Sequence, residues 1–171
     1  PWYLPKEFLD LYPLESIKLP WIREDDLDDI PELGRKMALS SPLRDTDELD
    51  ESDHYRITQA HVWKKAVQAC LAAITFADEQ VGRIVDALDA SEHAGETHVV
   101  LWSDNGFHLG EKLHWRKYTL WDQATRIPLM IRPADRQGAG RVVDQAVSLV
   151  DLYPTLVEMC GLPPPAHQLS G

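Results

Sequence analysis

The chain has 171 residues, 44% of them hydrophobic, and a formal net charge of −11. Its length suits one compact domain with a sizeable core. The negative charge argues against a nucleic-acid footprint and no stretch has the apolar length that spans a bilayer, so neither nucleic acid nor membrane is expected as a partner.

Residues 1–56 are rich in proline (Pro5, Pro13, Pro20, Pro31, Pro42), acid and aromatics, and read as an irregular segment with short helical turns. Their acids concentrate at Glu24, Asp25, Asp26, Asp28, Asp29 and Glu32, then Asp45 to Asp53, which reads as a solvated loop. A calcium loop is the alternative, but the alternating Asp and Gly spacing is missing. The chain opens on Pro1-Trp2 with neither Met nor signal-peptide pattern, so residues ahead of it are expected to be missing, and the compartment (cytoplasmic, or periplasmic and secreted) stays open.

From residue 57 to 171 the pattern is that of an α/β portion. Val67, Leu71, Ile74, Val81, Val85 and Leu88 recur at three- and four-residue steps, predicting one amphipathic helix over 57–90 with Asp78 on its apolar stripe. Thr97 to Trp102 is a short apolar run, predicted as a strand buried on both faces, as in parallel sheets. Ile127–Ile131 and Val142–Val150 predict two more strands, and the last runs into a helix capped by Asp151, with Pro154 in its first turn and Gly161 at its end. Pro163 to Pro165 read as a linker. Cys70 and Cys160, inside apolar helical patterns, read as buried free thiols.

The chemistry gathers where the first strand ends, since ligands of open α/β sheets bind beyond the carboxyl ends of strands. Asp104 and Asn105 offer a carboxylate and an amide carbonyl side by side, a hard-oxygen pair suited to Ca²⁺ or Mg²⁺. Asn105-Gly106 is equally a hairpin signal, although the residues after it do not alternate like a returning strand. Lys117, flanked by Trp115, Tyr118 and Trp121, supplies a cation in an apolar setting. His108, Glu111 and His114 could instead be one element of a zinc or iron cluster.

The run from Ser103 to Pro128, SDNGFHLGEKLHWRKYTLWDQATRIP, resembles the second metal-site segment of the type I sulfatases, in the alkaline phosphatase superfamily. Ile74 to Arg83 is similar to the family helix before this strand and Val147 to Leu156 to its late strand-to-helix turn, while the opening residues, from Pro1-Trp2 to Leu14, resemble the iduronate-2-sulfatase-like branch. The likeness is poor only over residues 22–56.

The resemblance implies a layered, mostly parallel sheet flanked by helices and truncated on its N-terminal side. It implies sulfate monoester hydrolysis on a small-molecule or saccharide ester, with a divalent metal, usually Ca²⁺, and a formylglycine nucleophile made from a C/S-x-P-x-R motif. Asp104 and Asn105 carry over as metal ligands and Lys117 as the catalytic cation on a sulfate oxygen; His108, His114 and Trp115 lie where they could help shape the substrate mouth. Nucleophile, first acidic ligand pair and the histidine of Pro-His-x-Pro are expected outside this chain, in the rest of the parent polypeptide, so these residues alone should be inactive.

Ser40 to Arg44 does spell S-x-P-x-R, but it follows the opening Pro and runs into Asp45-Thr46-Asp47-Glu48, which marks it as a loop rather than a nucleophile motif. Two alternatives stay open: a phosphodiesterase or phosphonate monoester hydrolase of the same superfamily, and an inactive sulfatase-like binding module.

Overall fold

The computed structural model describes residues 3–41 and 45–170. Pro42, Leu43 and Arg44 of the S-x-P-x-R run, like Pro1 and Trp2, lie outside the described residues. The chain divides into two compact units, residues 1–137 and residues 138–171.

In the first unit, α1 (Lys6–Asp10) and α2 (Glu32–Leu39) are short helices within the proline-rich segment. Ser40 closes α2, and its hydroxyl donates to the carbonyl of Thr46, so it acts as a loop staple. The acidic stretch is less solvated than expected. Leu27 is buried with Ala38 and Leu39, and Ile30, Leu113 and Trp121 pack around them. Lys112 donates to the carboxylate of Asp26 at 2.7 Å, tying this stretch to the segment that follows the first strand.

The single helix expected over 57–90 is two helices, α3 (Asp53–Gln59) and α4 (Trp63–Asp89). Ser52 starts α3 by accepting the Tyr55 N–H. At its end His61 turns left-handed (φ 53°), its N–H donates to Thr58 and the Val62 N–H to Ile57, a closure more usual with glycine. The 27 residues of α4 then run about 40 Å at the helical rise. The Tyr12 and Thr75 hydroxyls bond, and Gln68 donates to the Tyr12 carbonyl, which fixes the opening segment on α4. Asp78 is exposed rather than set in an apolar stripe, as are Ile74 and Ile84 on the same helix.

β1 (Val99–Trp102) pairs antiparallel with a strand contributed from much later, Leu129–Arg132, so that Val99 faces Arg132 and Trp102 faces Leu129. Between them come β2 (His108–Leu109), a 3-10 turn (Glu111–Leu113), β3 (Trp115–Arg116) and α5 (Asp122–Thr125), before that partner, β4 (Leu129–Arg132). The expected strand at Ile127–Ile131 is thus present, two residues later in its start. Double-sided burial of β1 is not what these residues alone provide, since Trp102, Met130 and Ile131 remain exposed. Asp89, at the end of α4, accepts from Arg132 and Arg136; the Arg132 bond is the main reason its carboxyl lies below the ordinary carboxylate range.

The second unit contains a 3-10 turn (Leu149–Asp151) and α6 (Leu152–Met159). The strand expected over 142–150 does not form: residues 141–148 are irregular, and a strand requires a neighbour for its N–H and C=O groups, which this unit does not offer. Asp151 precedes α6 without a side-chain cap bond, Pro154 lies in the first turn, and Gly161 (φ 62°) ends it as expected. Cys160 is exposed at the end of α6, whereas Cys70, half-buried on α4, has its thiol pushed up by burial; both are free.

Candidate active site

The loop leaving β1 does not fold back as a hairpin, because β1 takes β4 as partner and β2 pairs only with β3. Ser103 donates to the backbone carbonyl of Asn105, and the Gly106 N–H donates to Ala124 at 2.7 Å. A Cβ on Gly106 would stand 2.1 Å from the Gln123 carbonyl oxygen, so only glycine admits this close approach. The result brings Asp104 to the end of β1 with its carboxylate 80% exposed.

Lys117 arrives from the other side, after β3. Its Nζ lies 3.5 Å from Asp104 Oδ2 and 5.8 Å from the Tyr118 ring centre. Two of the sequence-derived residues, Asp104 and Lys117, are therefore brought together, and Asn105 is half-buried beside them. Two adjacent hard oxygens suit a divalent cation as part of a donor set, but among the described residues no group of three or more His, Cys, Asp or Glu could hold one.

His108 and His114, in the segment between β1 and Lys117, are both buried. His108 is wholly buried, with Nδ1 donating to the Glu111 carbonyl at 3.1 Å and Nε2 accepting from the Thr119 hydroxyl at 2.8 Å. Burial pushes its pKa down, which agrees with a neutral ring having one donor and one acceptor. The ring of His114 packs edge-on to it at 5.0 Å, and both His114 nitrogens face backbone carbonyls. As packed here both imidazoles, expected near the substrate mouth, turn their ring nitrogens to other groups of the chain. A zinc-type cluster does not assemble, because Glu111 turns its carboxylate to the Leu109 N–H at 2.7 Å.

Trp115 is likewise a buried support, its indole N–H aimed at His54 Nδ1 at 3.4 Å. Burial pushes the pKa of His54 down, so that nitrogen is free to accept. Trp63, the first residue of α4, donates to the Leu109 carbonyl at 2.7 Å and packs edge-on to His54 and Trp115. Gly110 (φ 124°) lies against it, where a Cβ would come within 2.4 Å of the indole. His54, Trp63, Thr119 and the Ala38 carbonyl were not anticipated. The acidic run held a clue to its packing against α2, since it carries the apolar Leu27 and Ile30.

The family model described as Sulfatase matches residues 28–162. The chain is 41% identical to a sulfatase of Formosa agariphila over 95% of its length and 30% of that protein. It is 34% identical to the iduronate 2-sulfatase of Mus musculus over 96% of its length and 34% of that protein, and 27% identical to the choline-sulfatase of Rhizobium meliloti over 95% and 29%. This chain, an α/β portion by its elements, belongs to the sulfatase family. It spans about a third of the length of the curated relatives it matches.

Proposed function

We propose that these residues form the cation-bearing side of the active site in a protein that hydrolyses sulfate monoesters. The observation that carries this reading is the Lys117 ammonium held 3.5 Å from Asp104 at the end of β1, within a family-matched segment. Lys117 is the cation that binds a sulfate oxygen and stabilises charge as it moves toward the bridging oxygen. Asp104 and Asn105 are metal ligands, and bound Ca²⁺ or Mg²⁺ would supply a Lewis acid on the sulfate oxygens.

The formylglycine nucleophile and the remaining metal ligands belong to parts of the protein other than these residues. The half-exposed β1–β4 pair is compatible with an edge of the layered, mostly parallel sheet that the family implies. The substrate class is a small-molecule or saccharide sulfate ester, and the names of the relatives favour sulfate over phosphate.

Assaying the full-length protein on an aryl sulfate and an aryl phosphodiester side by side tests this. Sulfate ester turnover that disappears with chelation and returns with Ca²⁺, and that fails in Asp104→Ala, is the expected result. Preference for the phosphodiester, or turnover indifferent to Asp104 and Lys117, overturns it.

A further inference from the structure

Lys117 sits between two residues with left-handed backbones, Arg116 (φ 75°) and Tyr118 (φ 74°), and Lys112 and Leu113 are left-handed too. Residues with a Cβ adopt such conformations only where surrounding contacts impose them. Arg116 is paired with Asp53 at 3.4 Å, and the backbone carbonyl of Lys117 is met by His114.

The His114 ring is 2% exposed, with Nδ1 2.7 Å from the Ala38 carbonyl at the end of α2 and Nε2 2.7 Å from the Lys117 carbonyl. A carbonyl oxygen only accepts, so this pair of bonds takes two N–H donors, which the doubly protonated ring has and the neutral ring lacks. His108, from β2, packs edge-on to the ring at 5.0 Å, and α2 and the Lys117 loop present carbonyl oxygens to its two nitrogens.

We infer that His114 is a positioning residue for Lys117: donating to the carbonyls of Ala38 and Lys117, it anchors the strained loop to α2 and sets where the ammonium stands beside Asp104. The inference rests on the reading of Lys117 as the cation on the sulfate.

A double-mutant cycle on the full-length protein tests it. His114→Asn retains a donor near the Nδ1 position, toward Ala38, and removes the one on Lys117, whereas His114→Gln reaches the Nε2 position. With an aryl sulfate, His114→Asn should lower kcat about tenfold with a smaller change in KM, and His114→Gln should stay within about threefold, although both lower Tm alike. In a Lys117→Ala background, His114→Asn should change kcat by less than about twofold, because its effect passes through the missing side chain.

An undiminished loss in that background, or losses in both variants that follow Tm alone, overturns the inference. Full activity in Lys117→Ala itself removes the reading of Lys117 instead, a separate result. Imidazole ¹⁵N spectra of the full-length protein decide the clamp irrespective of rate: two protonated ring nitrogens on His114 support it and one bare nitrogen overturns it.

Discussion

Lys117 and Asp104 contribute little to stability, because a pair with side chains 39% and 80% exposed is screened by water, and such pairs are worth about 0–1 kcal/mol. Replacing the lysine should therefore separate activity from folding. Lys117→Ala is expected to leave the thermal midpoint of the full-length protein nearly unchanged while lowering kcat/KM for a sulfate ester by about 100-fold or more, the scale seen when one preorganised charge-stabilising donor is removed. Equal losses in midpoint and rate would assign the lysine to packing. His108 behaves oppositely. Burial holds it below its ordinary 6.5, so the folded protein binds this proton less readily than the unfolded chain. Above pH 6.5 both states are neutral and stability is intact; as pH falls from there toward the lower folded value, the unfolded chain takes up the proton first and stability declines. His54 is shifted in the same direction by the same cause. In urea unfolding of the full-length protein, going from about pH 7.5 to about pH 5.5 should cost the parent more stability than it costs His108→Gln.

At the scale of elements, the break between α3 and α4 is set by one residue in an unusual conformation. A left-handed residue with a Cβ costs about 1 kcal/mol, and His61 occupies the position at which helices commonly place glycine. His61→Gly should raise the unfolding free energy by roughly 0.5–1 kcal/mol in denaturant titration, and destabilisation would mean that the imidazole has a partner of its own. The same residue explains why the break was illegible: no glycine or proline marks it, and apolar spacing continues through it. The end of β1, the strand ahead of Arg132 and the close of α6 at Gly161 were legible, because each rests on local pattern. Val142 to Val150 was misread, since an apolar run signals a strand only where another strand can pair with it. The burial of His108 and His114 was out of reach for a different reason. Ala38, which receives His114, is 76 positions away, and such a contact is a product of packing rather than of spacing.

For the molecule as a whole, the division after Gln137 is the feature with the plainest consequence in solution. Residues 135–148 are exposed throughout, and those from Arg141 to Ser148 carry no regular structure. Limited trypsin digestion should cut first after Arg141, leaving Lys117 and Asp104 on one product; early cleavage at Lys64 or Lys65 in α4 would contradict this description. Exposed apolar side chains elsewhere, Ile74 and Ile84 on α4 and Met130 on β4, describe surfaces that water covers poorly. That open stretch past Gln137 also offers a practical handle. A peptide epitope or a dye spliced between Gly140 and Ser148 would sit on an exposed, irregular stretch, through which the protein could be immobilised or imaged.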